Sequence, residues 1–277
     1  MNALHSSKLR AGRAAFVLLT FALLSAHATA QTAIATARSE LAPTGKLRVG
    51  FLVLNPVFVT KDGQAGEMQG IAVELGRGLA KQLGVAFEPV RYTAVDRMID
   101  GAKARAWDVA FLGHDPARTV DMDFTAPYLE VGNTYLVPAG SSIKSIGDAD
   151  KAGHRIGVAQ RSITDLFLTR SLKQAELIRI PSVQTSGLEL LASGKAHALV
   201  GNHVVLAGLA AKIPGSRLVE GSFYSTPQAL AVAKGRPAGT AYAKEFIEHA
   251  KASGLVKQAI QRTGLPGLTV APSASAK

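Results

Sequence analysis

Arginine and serine side chains near predicted turns supply groups that could bind a small anion. Arg118 carries a planar guanidinium, which can bind a carboxylate through two parallel hydrogen bonds. The same residue could instead stabilise the fold by pairing with Asp121 or Asp123. Ser162 stands where a helix is predicted to begin, so its hydroxyl and its backbone N–H could both face an anion. These residue types suit recognition of a carboxylate-bearing solute.

A turn that follows a predicted buried strand carries Gly113 and Asp115. Asp115 could bind a ligand ammonium group, could hold Arg118 in an internal ion pair, or could cap the following turn. All three roles remain open. His114 of the same turn is interpreted as a packing or surface residue. No second metal-type residue stands at ligand spacing, so neither a metal nor a cofactor is expected.

The chain contains no cysteine, which excludes disulfides, thiolate nucleophiles and cysteine metal sites. It also lacks a phosphate-binding loop and a convincing Ser-His-Asp arrangement. The formal net charge is +11, but the positive residues are scattered rather than clustered, so nucleic acid is not an expected partner. The sequence therefore offers no recognisable motif for these classes of catalysis.

The elements that position these residues alternate between short apolar strands and amphipathic helices. One strand–helix series runs from Lys46 to Leu112 and a second from Arg155 to Gly201, which predicts an α/β protein with two lobes. Ligands bind outside the carboxyl ends of parallel strands, so the turns after the strands should line a cleft between the lobes. The predicted boundaries are a flexible leader over 31–45, lobe 1 over 46–134 and 229–265, lobe 2 over 135–228, and a disordered tail over 266–277.

The first thirty residues have the features of a cleavable export signal. Lys8, Arg10 and Arg13 precede an apolar run over 14–24 that is too short to span a bilayer. Ala28-Thr29-Ala30 then offers the small residues that signal peptidase needs. With no cysteine to carry a lipid, an exported protein of this kind would be untethered. The sequence therefore predicts a signal peptide over 1–30 and the periplasm of a two-membrane bacterium.

An ordered set of motifs resembles the family 3 bacterial solute-binding proteins, the amino-acid-type receptors of ABC importers. The resemblance covers Lys46 to about Gly264. Its motifs are Lys46-Leu47-Arg48-Val49-Gly50, Asn55-Pro56-Val57-Phe58, Gly70-Ile71-Ala72-Val73-Glu74-Leu75, Trp107-Asp108-Val109-Ala110, Asp115-Pro116-Ala117-Arg118 and Asp123-Phe124-Thr125-Ala126-Pro127-Tyr128. The resemblance implies a type II periplasmic-binding-protein-like fold, in which each lobe is a mostly parallel sheet flanked by helices and two crossover strands join the lobes.

In lobe 1 the resemblance implies a role for five residues. Arg118 would grip the ligand carboxylate, and backbone groups of the turn at Gly113 would bind the ligand. Asp115 replaces the usual threonine of that turn. Phe58 stands where the family packs aromatic rings against the ligand, although a core role is equally open. Asn55 replaces a turn aromatic, which would make one wall more polar.

In lobe 2 the resemblance places Arg161, Ser162 and Asn202 at the ligand. Ser162 matches the family's anion-binding turn. Arg161 replaces a small residue and either adds positive charge or points to solvent. Asn202 stands where amino-acid receptors carry an aspartate for the ligand ammonium. The solute could therefore be a carboxylate without an amine, or an amino acid held by Asp115.

The function implied is a periplasmic receptor that closes on a small carboxylate-bearing solute, an amino acid or a related compound, and docks transiently on a membrane ABC permease. The receptor is expected to be a monomer. One alternative is an enzyme on the same scaffold, such as a cyclohexadienyl or arogenate dehydratase, for which Glu74, Glu130 and Asp115 are the candidate acids. Another alternative is a ligand-sensing module of a membrane receptor.

Overall fold

The computed structural model describes residues 31–64, 67–265 and 267–274. Residues 31–41 are helical (α1). The elements that follow in the first half are β1 (Lys46–Leu52), α2 (Ile71–Leu83), β2 (Ala86–Tyr92), α3 (Val95–Lys103), β3 (Val109–Gly113), a 3-10 turn (Pro116–Arg118), β4 (Met122–Phe124) and β5 (Leu129–Val137). The predicted export signal over 1–30 lies outside the described residues.

The second half continues the alternation of strands and helices. Its elements are a 3-10 turn (Ile146–Ala149), β6 (Arg155–Ala159), α4 (Ile163–Ser171), β7 (Glu176–Ile180), α5 (Val183–Ala192), β8 (Ala198–Asn202), α6 (His203–Ala210), β9 (Arg217–Leu218), β10 (Tyr224–Ala233), α7 (Pro237–Ala252), α8 (Leu255–Thr263) and β11 (Leu268–Val270). Each helix of this half from α4 to α6 begins within four residues of the strand before it, as in a parallel α/β unit.

The strands form one continuous sheet in the order β2-β1-β3-β10-β5-β8-β6-β7. Around β1 the pairing with β2 and β3 is parallel, and around β6 the pairing with β7 and β8 is parallel. Between these parallel groups lie β5 and β10, which pair antiparallel with each other. The predicted two-lobe α/β fold is confirmed.

The crossover strands β5 and β10 pass from one parallel group to the other. Gln228 of β10 pairs with Gly113 of β3 and also with Leu129 of β5. Further along β5, Asn133 pairs with Asn202 of β8. The strands therefore run through the predicted lobe boundaries at 134/135 and 228/229, and the residue at which each lobe ends stays a prediction.

Buried apolar residues form separate cores on the two sides of the crossover strands. One core gathers residues of β1 to β4, α2, α3, α7 and α8, with Trp107 fully buried and its indole N–H donating to the Met98 carbonyl at 2.8 Å. Two smaller cores cover the faces of the second parallel group, one around Val158 and one around Leu199. Each parallel group is thus a packed support for the turns at its strand ends.

Residues 31–41 and 268–270 adopt regular secondary structure where none was predicted. The expected flexible leader over 31–45 is wrong for 31–41, which are helical and bury Ala37 and Leu41. Residues four apart share one helix face, so two apolar residues in a polar segment are enough to dock it. The expected disordered tail over 266–277 is wrong for Leu268–Val270, which pair with β5.

Candidate functional site

A cavity opens between the two parallel groups, at the carboxyl ends of their strands. Its empty volume is about 770 Å³, a figure that includes space open to solvent. Residues from both lobes and from the crossover strands line it, and the polar or charged side chains among them are Asn55, Thr93, Arg118, Asn133, Ser162, Thr164, Ser182, Gln184, Asn202, Thr226 and Gln228. Gly113 and Phe58 also line it. Six of the eight predicted ligand residues are therefore brought together.

Arg118 presents a buried cation to this cavity. It ends the 3-10 turn after β3 and is only 4 % exposed. Its Nη1 donates to the Gly113 carbonyl at 2.6 Å, and its Nη2 donates to the Arg161 carbonyl at 2.7 Å. Its buried Nε has no hydrogen-bond partner among the described residues. Burial lowers the pKa of Arg118 to about 10, against an opposing effect of Asp115, so the group stays charged at neutral pH.

Arg118 has no carboxylate within ion-pair distance in the part of the chain that the structure describes. The two acids considered as its partners are engaged elsewhere, since Asp121 pairs with Lys103 and Asp123 pairs with Lys234. A buried charge without a counter-ion is costly. An anionic group in the cavity would supply that counter-ion.

Asp115 does not line the cavity, although the sequence suggested that it could bind the ligand. Its Oδ1 accepts from the Ala117 N–H at 2.9 Å and caps the turn, and its Oδ2 accepts from Arg170 at 2.9 Å. Burial raises the pKa of this carboxyl, but the bonds from Arg170 and the Ala117 N–H lower it more, so the pKa lies below its ordinary value. Of the three open roles, capping is observed, and the ion pair is with Arg170 instead of Arg118.

Three helix N-termini of the second lobe converge on the cavity. Ser162, Ser182 and Asn202 are the N-cap residues of α4, α5 and α6, and each accepts a backbone N–H from the first turn of its helix. All three line the cavity. Helix N-termini carry partial positive charge, so this wall favours an anion.

Arg161 reaches the site through its backbone alone. It adopts a left-handed conformation (φ 56°), its N–H donates to Asp165, and its carbonyl accepts from Arg118. Its guanidinium pairs with Asp100 at 2.8 Å on the surface, and the residue does not line the cavity. Of the two alternatives left open for Arg161, the structure shows the side chain directed to the surface and not into the cavity lining.

The opposite wall comes from the segment after β1. Phe58 is 2 % exposed, belongs to the core and also lines the cavity, so its packing against a ligand stays a prediction. Asn55 Oδ1 accepts from the Val57 N–H at 3.1 Å and lies 3.5 Å from the Asn202 amide nitrogen. This wall is apolar at Phe58 and polar at Asn55, as the sequence indicated.

Sequence reasoning missed the polar floor of the cavity, which lies on the crossover strands. Asn133 donates to Thr226 Oγ1 at 2.6 Å and to the Tyr224 carbonyl at 3.0 Å. Gln228 is 5 % exposed, and its Oε1 has no partner among the described residues. Asparagine or glutamine inside an otherwise apolar strand is the signal that could have revealed both residues.

Several contacts join the two lobes across the cleft. Asp115 of lobe 1 pairs with Arg170 of α4, and Asp100 of α3 pairs with Arg161. Gln184 Nε2 also donates to the carbonyl of Leu54 at 3.1 Å. These cross-cleft contacts hold the cavity walls together around the lining residues.

The sequence of residues 47–264 matches the family described as bacterial extracellular solute-binding proteins, family 3. The chain belongs to this family. The glutamine-binding protein of an ABC transporter from Bacillus subtilis (strain 168) is 25 % identical over 195 residues, which are 69 % of each chain.

Solved structures of the family share the fold of this solute-binding protein. The solute receptor for L-cysteine of Neisseria gonorrhoeae superposes with a TM-score of 0.71 at 24 % identity, covering 84 % of this chain and 94 % of that one. An ancestral amino-acid-binding protein, described as a precursor of cyclohexadienyl dehydratase, superposes with a TM-score of 0.68 at 25 % identity, covering 81 % and 97 %.

The acids named for a dehydratase lie outside the cavity. Glu74 pairs with Arg262 on the surface, and Glu130 accepts from the Ser225 hydroxyl at 3.2 Å. Asp115 is occupied by Arg170, as described above. Among the described residues that line the cavity there is no aspartate or glutamate. The arrangement can bind a solute but offers no carboxylic acid for proton transfer to it.

A search of the described helices for membrane-spanning segments finds none with the length and apolar character that a span requires.

Proposed function

We propose that this family member is the substrate-binding component of an ABC importer and binds a small carboxylate-bearing solute, an amino acid or a related compound, by closing its two lobes. The observation that carries the proposal is the Arg118 guanidinium, which is buried in the cavity wall without a carboxylate partner among the described residues. A planar guanidinium is suited to a carboxylate because the two groups form parallel charge-assisted hydrogen bonds.

The comparisons support a solute of the amino-acid type. Named relatives are glutamine-binding proteins, and the superposed structures are amino-acid receptors. The partner proposed on this basis is a membrane permease, which the closed protein contacts transiently as a monomer in the periplasm. Delivery to the periplasm would depend on the predicted signal over 1–30.

A thermal-shift screen of the mature protein against amino acids, organic acids and amines tests the proposal. A solute that binds only the folded protein stabilises it by about 2.7 kcal/mol when present at roughly 100 times its Kd. We expect carboxylate-bearing solutes to raise the melting temperature and simple amines to leave it unchanged. The proposal fails if every carboxylate leaves the melting temperature of the folded protein unaltered.

Cleft closure predicts an effect of Asp115→Asn on ligand affinity. The amide can still accept from the Ala117 N–H, but it loses the charge that attracts Arg170 across the cleft. We expect the Kd to rise roughly 5- to 30-fold, as measured by isothermal titration calorimetry. The pKa of Asp115 in the folded protein lies below its ordinary value of about 3.9. The contribution of the Asp115–Arg170 pair to ligand affinity is therefore complete above about pH 3.9 and is lost as the pH falls through the folded-state pKa.

The matched control is Asp100→Asn, which removes the other cross-cleft ion pair. Asp100 and Arg161 have side chains that are 55 % and 36 % exposed, whereas Asp115 is 2 % exposed. Exposed pairs contribute little, so this variant should change the Kd by no more than about threefold. Equal effects of the two variants would contradict the assigned role of Asp115.

A further inference from the structure

Among the described residues, the side chains that line the cavity include a cation but no carboxylate. Of the described residues that line the cavity, Arg118 alone has a charged side chain. The N-termini of α4, α5 and α6 add partial positive charge, since Ser162, Ser182 and Asn202 all line the cavity. An ammonium group buried here would meet like charge and no carboxylate.

The Asn202 side chain is neutral, and its amide oxygen already accepts one hydrogen bond from the protein. Its Oδ1 accepts from the Val205 N–H at 2.9 Å and caps α6. That bond fixes the orientation of the amide, so the group facing Asn55 across the cleft is the NH₂ donor. A donor in this position suits a ligand oxygen and opposes a ligand ammonium.

Two buried carboxylates close in sequence to lining residues are also held by other groups. Asp115 is bound by Arg170 and by the Ala117 N–H. Asp165, which follows the lining residue Thr164, accepts from Arg179 at 2.9 Å and from the Arg161 N–H at 2.8 Å. Neither carboxylate lines the cavity, so neither supplies a counter-ion for a positively charged group of a ligand.

Two buried polar atoms without partners indicate what the cavity does accept. Arg118 Nε is an unpartnered donor, and Gln228 Oε1 is an unpartnered acceptor in a neutral amide. Both residues adjoin Gly113, because Gln228 pairs with it in the sheet and Arg118 donates to its carbonyl. A carboxylate could accept from Arg118 Nε, and a hydroxyl beside it could donate to Gln228 Oε1. A carbonyl in that place has no hydrogen to donate and would accept from the Asn202 NH₂ group instead.

We infer that the ligand is an organic acid that lacks an ammonium group, with a hydroxyl or carbonyl next to its carboxylate. This inference rests on the proposed function, since it specifies the solute bound in the same cavity. Leu52, Leu112, Val131, Ile163, Val183 and Val200 surround the rest of the space, so the carbon skeleton is apolar.

Isothermal titration with probes that differ only at carbon 2 tests the inference. The probe sets are 2-hydroxy-4-methylpentanoate, 4-methyl-2-oxopentanoate and L-leucine, and phenyllactate, phenylpyruvate and L-phenylalanine. We expect the hydroxy or oxo acid of at least one set to bind at least about tenfold more tightly than its amino acid, because a buried ammonium lacks a counter-ion. Tighter or equal binding of the amino acids overturns the inference and leaves the proposed function standing. Failure of both sets and of every carboxylate in the screen overturns the proposed function itself.

Asn202→Asp and Asn202→Ser form a matched pair of variants for the same titration. Aspartate and serine both cap helices well, so each retains the start of α6. We expect Asn202→Asp to shift the preference toward the amino acid by about tenfold or more, because it adds a counter-ion for the ammonium. Asn202→Ser adds no charge, so it should not raise the affinity for the amino acid. An unchanged preference in a folded Asn202→Asp protein would overturn the assignment.

Discussion

Arg118→Ala is expected to abolish detectable binding of the carboxylate ligand. Truncating one partner of a buried, hydrogen-bonded charge pair costs about 2–5 kcal/mol, which corresponds to a rise in Kd of at least roughly 30-fold. Arg118 is 4 % exposed and lines the cavity, so the ligand carboxylate would lose its buried counter-ion. Isothermal titration calorimetry with the best solute from the screen measures the change.

The unliganded stability of the same variant provides a separate readout. Arg118 is buried without an ion-pair partner among the described residues, so replacing it with alanine removes the cost of burying an unpaired charge. The same substitution removes the hydrogen bonds to the Gly113 and Arg161 carbonyls, which costs stability. These effects oppose each other, and we expect little change in the melting temperature of the free protein. A protein that melts normally and binds with unchanged affinity would remove Arg118 from the site.

Arg118→Lys is the control that separates charge from geometry. Lysine keeps a positive charge but lacks the planar fork that matches a carboxylate. We expect its Kd to lie between those of the parent and Arg118→Ala. Equal loss in the two variants would indicate that the two parallel hydrogen bonds, and not the charge, provide the affinity.

The sequence predicted the parts of the site that depend on local order along the chain. Ser162 was expected at the start of a helix from hydrophobic periodicity and capping preferences, and it caps α4. Arg118 and Asn202 were assigned to the site through the resemblance, and both line the cavity, while their contact with a ligand stays a prediction. The alternation of strands and helices likewise predicted the two-lobe fold.

The sequence could not predict contacts between distant residues. Asp115 pairs with Arg170, 55 residues away, and nothing local to Asp115 distinguishes that partner from Arg118. Gln228 and Asn133 reach the cavity because two crossover strands lie side by side under it, which only the sheet order reveals. Tertiary pairing therefore determined which polar residues line the cavity.

Asp108→Asn is expected to destabilise the fold more than any other single charge change discussed here, while leaving the cavity intact. Asp108 is fully buried before β3 and binds two arginines. Its carboxylate accepts from Arg48 at 2.8 and 3.0 Å and from Arg236 at 2.8 Å. Breaking a buried ion pair by neutralising one partner costs about 3–5 kcal/mol, because the opposite charge stays buried and unpaired.

Thermal and urea denaturation would measure this loss, which we expect to lower the melting temperature by roughly 6–20 °C for a domain of this size. Asp123→Asn is the matched control, since the Lys234–Asp123 pair has side chains that are 47 % and 35 % exposed and should contribute less than about 1 kcal/mol. Asp108 lies at the opposite end of β3 from Gly113, so the folded Asp108→Asn protein should keep its ligand affinity. Stability equal to that of the parent protein would show that Arg48 and Arg236 find other partners. A large loss of ligand affinity would show that the start of β3, next to Asp108, positions Arg118.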